Sequence, residues 1–278
     1  MNPVLRLATE YRALARILEP KDVVSLARAT VTCAPAILKT KKLTALDFAM
    51  SRNMTVHFGK SRLILPIAEI DRILVQRNDS PTFGTVRELY ARNCYLEYLP
   101  VRSPQRAVLD LGANRGMFTL LTLLALEAEV AIGVEPLQLY SSVHKLLLES
   151  NGIDPRRAPR YTKLVSNRSE EKRNPDTNVS IETIMAEQKI DRFNLVKIDI
   201  EGGEKSIFSE PEWLERVDNI TMELHPQFVG DLSLIPRALE QHGFDYWLMD
   251  QSGNRVAINS AMFLVASRTG SLSGRKDW

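Results

Sequence analysis

The chain has 278 residues, 44% of them hydrophobic and 25% charged, enough to bury a sizeable core and unlike disordered, collagenous or membrane-spanning compositions. Lys and Arg number 36 against 34 Asp and Glu, so the net charge of +2 implies no nucleic-acid partner. With two cysteines, Cys33 and Cys94, and four histidines without paired spacing, a disulfide framework and a cysteine-based zinc site are excluded and a reducing compartment is expected.

Met1-Asn2-Pro3-Val4-Leu5-Arg6 lacks the pattern of a secretory signal, and nowhere do about 18 apolar residues run together, so a cytoplasmic location without a spanning segment is expected. The glycosylation-type triplets at Asn167, Asn178 and Asn219 are then accidental. Through residue 105 there are 16 basic and 9 acidic residues, which makes the front third basic. Residues 1–52 read as a helical extension of two or three helices between Val4 and Leu46, with Leu5, Tyr11, Leu14 and Leu18 at helical spacing and breaks near Pro20 and Pro35. Lys39, Lys41 and Lys42 follow the apolar run Ala34 to Leu38, as a solvated helix end or as a weak peripheral contact with a membrane surface. A lid over an acceptor site or a homodimer interface is the other role open to this extension.

Residues 53–105 hold a β-hairpin, Met54 to Phe58 and Arg62 to Leu65 around Gly59-Lys60, then a helix near Val86 to Tyr98 and the breakers Pro100 and Pro104. Over 106–270 short apolar runs alternate with helical periods: Ala107 to Leu111, Val130 to Val134, Tyr161 to Val165, Phe193 to Ile200, Asn219 to Leu224, Phe244 to Met249 and Met262 to Ala266. The expected fold is α/β, a doubly wound Rossmann-like sheet of seven strands. Most are parallel; the last two are joined too briefly for a helical crossover and pair antiparallel. Residues 271–278 are a tail.

Asp110-Leu111-Gly112-Ala113-Asn114-Arg115-Gly116 follows the first of these strands and opens the apolar helix beginning at Met117, where backbone N–H groups face a ligand. Gly112 and Gly116 permit positive φ and close approach, and Asp110 can accept from an ammonium or a hydroxyl. Glu135 stands 19 residues after Gly116, at the end of the next strand, where this fold places a carboxylate over a ribose. Asn114 occupies the position at which a dinucleotide fingerprint needs its second glycine, which weakens an oxidoreductase reading.

Together with Val134-Glu135-Pro136 and Lys197-Ile198-Asp199-Ile200-Glu201-Gly202-Gly203-Glu204, this loop resembles the FkbM family of S-adenosylmethionine-dependent methyltransferases, whose motifs read D-x-G-A-N-x-G and K-I-D-x-E-G-x-E. Ser180-Ile181-Glu182-Thr183-Ile184 is similar to the family's T-L-D-D-L segment, with Glu182 and Thr183 in place of two aspartates. The resemblance spans roughly Val56 to Val265. It implies a class I methyltransferase fold and S-adenosylmethionine as cofactor. Asp110, Gly112, Ala113, Asn114 and Gly116 would then surround the methionine part and Glu135 would hold the ribose. Thr119 would reach the cofactor carboxylate and Asn167 the adenine, although both positions also suit caps.

Alternation along the strands puts Lys197 and Asp199 on one face, and Glu223 and His225 on one face of the next strand, so the four are expected to cluster beside the cofactor crevice. A structural ion pair of Lys197 with Glu223 or Asp199 is the plainer role for that lysine. Methyl transfer to a hydroxyl needs a base, for which Asp199, Glu201 and His225 are candidates, with Lys197 steadying a carboxylate or an oxyanion. Glu204 reads as a first-turn carboxylate. Asp199, Glu223 and His225 are acceptable metal ligands, but no metal is assigned. Phe83, Tyr90, Tyr95, Phe228, Tyr246 and Trp247 are core residues or line an acceptor pocket. The resemblance implies O-methylation of a sugar, glycan or secondary metabolite. An N-methyltransferase acting on a small amine and a binding protein with a vestigial cofactor site are the alternatives.

Overall fold

The computed structural model describes residues 3–75, 79–225 and 232–273, with side chains from residue 9 onward. The chain forms two compact units, Met1–Cys94 with Ser142–Asp154, and Tyr95–Ser141 with Pro155–Asp277.

In the first unit, α1 (Pro3–Ile17), α2 (Pro20–Thr40) and α3 (Thr44–Ala49) precede the hairpin β1 (Met54–Phe58) and β2 (Ser61–Leu65) and the helix α4 (Ile67–Leu74). Pro20 sits in the first turn of α2, where its missing N–H costs nothing, but Pro35 lies inside the same helix and does not end it as expected. The hairpin pairs Met54 with Leu65 through Phe58 with Ser61, so that Val56, Phe58, Leu63 and Leu65 are buried. The helix expected near Val86 to Tyr98 lies earlier: α5 (Thr82–Thr85) runs into a π-helical turn, Val86–Ala91, and irregular turns follow. Arg87 on that turn donates to both oxygens of Asp47 on α3, at 2.8 and 2.9 Å, and to Glu10 on α1 at 2.5 Å. Three helical segments are thus joined by one bidentate guanidinium, which compensates the burial of two carboxylates.

The second unit is built on a seven-stranded sheet in the order β10-β11-β9-β8-β3-β4-β5. Its strands are β3 (Ala107–Leu111), β4 (Val130–Val134), β5 (Arg160–Tyr161), β8 (Leu195–Ile198), β9 (Asn219–Glu223), β10 (Asp245–Met249) and β11 (Phe263–Ser267). β11 runs antiparallel to both neighbours, and the other pairings are parallel. The run Tyr161 to Val165 is not one strand: β5 ends at Tyr161, and β6 (Leu164–Val165) pairs with β7 (Asn178–Val179) in a separate two-stranded ladder. The connecting helices are α6 (Met117–Ala125), α7 (Leu139–Ser150), of which the residues from Ser142 on belong to the first unit, α8 (Arg168–Arg173), α9 (Ile181–Gln188), α10 (Glu204–Ser209) and α11 (Leu234–Gln241). Leu109, Leu111, Ile132, Val196, Ile198, Ile220 and Met222 are buried in the sheet, and Ile207, Phe208, Trp213 and Ile235 pack on it. From β3 the chain winds one way through β4 and β5 and then returns to β3's other side as β8. The sheet therefore has a switch point between β3 and β8, and the carboxyl ends of strands at such a point are where open α/β sheets bind ligands. No helix among the described residues is long and apolar enough to cross a membrane.

Candidate active site

Asp110 on β3 and Lys197 on β8 are register partners in adjacent parallel strands, so their side chains leave the same face side by side. Lys197 Nζ lies 3.4 Å from Asp110 Oδ1 and 3.4 Å from Asp199 Oδ2. It also donates to the carbonyls of Gly112 at 2.8 Å and Leu111 at 3.3 Å. Burial disfavours the ammonium, but Asp199 and Asp110 outweigh it and hold the pKa above the ordinary lysine value. The lysine therefore anchors the glycine loop as well as a carboxylate pair, and among the described residues its ion pairs are with Asp110 and Asp199 rather than Glu223.

The other oxygen of Asp110 accepts from the Thr119 backbone N–H at 3.1 Å and hydroxyl at 2.7 Å, which ties the end of β3 to the first turn of α6. Thr119 is fully buried in that role. Gly112 (φ +74°) and Gly116 (φ +85°) take the left-handed conformations anticipated for them, and Asn114 (φ +45°) joins them. Glu135, at the end of β4, accepts from Asn114 N and Leu137 N, each at 3.0 Å. Each oxygen keeps acceptor capacity for a further hydroxyl. Asn114 is held again from β5, where Arg160 Nη2 donates to its carbonyl at 2.7 Å. Arg160 was missed from sequence. Its register partner is Gly133, where an added Cβ would crowd Ala113 at 3.1 Å, and a glycine inside a buried strand is the signal that would have pointed to a close approach there.

The second motif abuts the first. Asp199 N donates to the Leu111 carbonyl at 3.0 Å, and a Cβ built on Gly112 would fall 1.7 Å from the Asp199 carbonyl oxygen. Beyond Asp199 the chain turns through Glu201 (φ +44°), which is exposed, and Gly202 (φ +110°) into α10. Glu204 opens that helix fully buried. One of its oxygens accepts from Gly202 N at 2.7 Å, and the other lies 2.8 Å from His225 Nδ1. His225 Nε2 faces Asp199 Oδ1 at 3.6 Å. The hydrogen bond with Glu204 raises the pKa of His225 above that of an ordinary histidine; burial opposes this, and the negative charge of Asp199, Glu204 and Glu223 adds to it.

The expected cluster of Lys197, Asp199, Glu223 and His225 assembles at the carboxyl ends of β8 and β9, with Glu201 outside it on the turn. Tyr95 completes it, its hydroxyl 3.1 Å from Asp199 Oδ2 and 3.3 Å from Glu223 Oε2. Donor atoms of Asp199, Glu223 and His225 lie within 4.8 Å of one another, but Lys197, Tyr95 and Glu204 already engage them, and we assign no metal there. Of the other aromatics, Phe83 and Tyr90 are core residues. Tyr246 donates to Glu240, Trp247 stacks under Arg255, and Phe228 lies outside the described residues. Asn167 is the N-cap of α8: its Oδ1 accepts from Glu170 N at 2.7 Å while its amide donates to Ser206 O and Ser209 Oγ.

Residues 129–246 match the family model of the methyltransferase FkbM domain. The match includes Glu135, the Lys197–Glu204 motif, Glu223 and His225, and is narrower than the span of the sequence resemblance. The glycine loop precedes the matched segment and abuts it through the Gly112–Asp199 contact.

No curated protein sequence matches the chain. Among solved structures it is similar to the METTL16 methyltransferase domain (11% identity, TM-score 0.41, 60% of this chain and 61% of that one). It is also similar to TYW2 of M. jannaschii in complex with AdoMet (11%, 0.41, 78% and 85%) and to a putative SAM-dependent methyltransferase of Streptococcus mutans (12%, 0.42, 77% and 55%). The chain thus spans less than two thirds of the METTL16 domain.

The crevice fits the cofactor chemically. Glu135 would offer a carboxylate to a ribose diol, the N-terminus of α6 would suit an α-carboxylate, and Asp199 and Glu223 would supply negative charge beside a sulfonium.

Proposed function

We propose that the chain transfers a methyl group from S-adenosylmethionine to a hydroxyl of a sugar, glycan or secondary metabolite. The observation that carries this reading is the juxtaposition of the glycine loop with a proton-accepting cluster: Gly112 rests on Asp199, and Asp199 faces His225. Bound S-adenosylmethionine supplies an electrophilic methyl group on a positively charged sulfur. Asp110, Gly112, Ala113, Asn114, Gly116 and Thr119 shape and hold the cradle, and Glu135 takes the ribose. Asn167 lies at a cap whose amide is already engaged, so any adenine contact would come from its remaining acceptor capacity. Lys197 holds Asp199 in place. Asp199, Glu201 and His225 are the groups available to take the acceptor's proton, and the alignment of acceptor oxygen and methyl does the rest.

An amine acceptor is the second reading, because Asp110, Asp199, Glu204 and Glu223 outnumber Lys197 and His225 and would attract an ammonium. A non-catalytic binding role for the cofactor crevice is the third. Titration calorimetry with S-adenosylmethionine and, separately, NAD, on the wild type and on Glu135→Ala, separates these. Micromolar binding of the former that weakens in the variant supports the methyltransferase reading and justifies a screen of sugars and hydroxylated metabolites. Binding of NAD alone sinks it.

The partner reading extends to α2. Val24, Val31 and Leu38 recur every seventh residue with 52, 76 and 79% exposure, and Lys21, Arg28 and Lys39 flank them. Such a stripe suits peripheral contact with an anionic membrane surface. The cytoplasmic setting is consistent with Cys33 and Cys94 being free thiols. Sedimentation with anionic but not zwitterionic vesicles, lost in Val31→Ser/Leu38→Ser, is the expected outcome; a dimer lost in the same variant would instead assign the stripe to a second copy.

A further inference from the structure

We infer that Glu204 is the positioning residue of a carboxylate–imidazole pair that presents His225 Nε2 to the acceptor as the proton-accepting atom. The inference rests on the methyltransferase reading and deepens it, since that reading leaves three candidate bases.

Three observations select His225 and give Glu204 its task. First, Glu204 is fully buried, and a carboxylate without solvent needs partners for both oxygens. It has them in Gly202 N at 2.7 Å and His225 Nδ1 at 2.8 Å. The first contact closes the turn that opens α10, so the carboxylate is pinned by its own backbone before it meets the ring. Second, an ionised carboxylate can only accept. The proton of the neutral imidazole is therefore drawn to Nδ1, which leaves the lone pair on Nε2, the nitrogen on the Asp199 side of the ring. Third, the other candidates are otherwise engaged or placed. Asp199 Oδ2 already receives Lys197 at 3.4 Å and the Tyr95 hydroxyl at 3.1 Å, so that oxygen is occupied within the protein. Glu201 is exposed on the turn, where water screens it.

In the step this implies, the acceptor oxygen uses a lone pair to form the new C–O bond, and the S–C electron pair stays with sulfur as its positive charge is discharged. The hydroxyl proton passes to His225 Nε2. The resulting imidazolium is stabilised by Glu204 on one nitrogen and by Asp199 on the other side, with Glu223 of the same strand nearby, and then loses its proton to solvent. The groups facing the ring are Glu204 from α10, Asp199 from the end of β8 and Glu223 from β9, with Lys197 and Tyr95 behind Asp199. A pair whose carboxylate is buried and whose ring is bordered by further acids is protonated more readily than free histidine, so the proton-accepting form gains as pH rises.

The test is ¹⁵N NMR of the four histidines in the full chain, with His225 assigned by its loss in His225→Gln, repeated on Glu204→Gln and paired with calorimetry of S-adenosylmethionine binding. The expected result is an Nδ1–H tautomer for neutral His225 that titrates above ordinary histidine. In Glu204→Gln the titration moves down towards the ordinary value, the Nε2–H form appears, and the cofactor still binds. With an acceptor from the hydroxyl screen, the acid limb of kcat/KM moves to lower pH in this variant and kcat falls about tenfold or more. A wild-type ring found as the Nε2–H tautomer overturns the inference even if the variant does not fold, as does an unchanged titration in a folded Glu204→Gln. Either result, with the cofactor still bound, leaves the methyltransferase reading standing. Failure of the wild type to bind S-adenosylmethionine removes that reading, whatever the tautomer.

Discussion

Gly112 and Asp199 meet backbone to backbone: a Cβ on the glycine would lie 1.7 Å from the Asp199 carbonyl oxygen, at a residue whose φ is +74°. No side-chain rearrangement relieves such a contact, because the obstacle is main chain at the end of a central strand. Gly112→Ala is therefore expected to destabilise the fold by about 2 kcal/mol or more and to weaken S-adenosylmethionine binding at least tenfold. Denaturant unfolding and calorimetry check both; wild-type affinity in the alanine variant would show that the loop does not hold the cofactor.

Lys197→Met leaves Asp110 and Asp199 beside each other without their cation. Breaking a buried pair in this way costs about 3–5 kcal/mol. Because the folded-state pKa of Lys197 is raised, its contribution is fully present below the ordinary lysine value and lost only as pH rises through the higher folded value. The stability difference between wild type and Lys197→Met should thus stay level between about pH 6 and 9. A difference that collapses within this range would mean that the lysine is not held charged.

His225 behaves otherwise. Its folded pKa is raised, chiefly by Glu204, so its stabilising share is fully present below the unfolded histidine value and is lost as pH rises through the folded one. Thermal unfolding should show a larger gap between wild type and His225→Gln at about pH 6 than at about pH 9. Turnover has the opposite slope, because the neutral ring is the proton acceptor, and a rate that falls as the ring deprotonates would count against it.

Asn167→Ala removes the N-cap of α8 and the hydrogen bonds to Ser206 and Ser209. A loss of about 1 kcal/mol of stability is expected, with cofactor affinity nearly unchanged. A tenfold loss of affinity would instead give this side chain the adenine contact implied by the family resemblance.

The central strands and the hairpin were legible before any coordinates, because apolar runs between breakers mark buried strands whatever surrounds them. β3 and β4 coincide with the expected runs, and the antiparallel β10 and β11 follow from the short link between them. Alternation along β8 and β9 likewise placed Lys197, Asp199, Glu223 and His225 together, since period two decides which face a side chain occupies. The family resemblance added Glu135 and the glycine loop to one crevice.

Local pattern says nothing about which residues of distant strands lie level with each other. The Asp110–Lys197 pair depends on the parallel register of β3 with β8, and that register is a property of the assembled sheet. Arg160 reaches the Asn114 carbonyl because the parallel pairing of β5 with β4 sets it level with Gly133. Glu204, legible as a helix-opening acid, becomes the partner of His225 only when α10 folds back over the end of β9. The tract from Tyr161 to Val165 is apolar enough for one strand, yet its second half finds edge hydrogen bonds at Asn178 and Val179 instead. Periodicity thus assigns residues to faces, whereas charge pairing, proton placement and the division of a strand between two ladders depend on distances that exist only once the chain has packed.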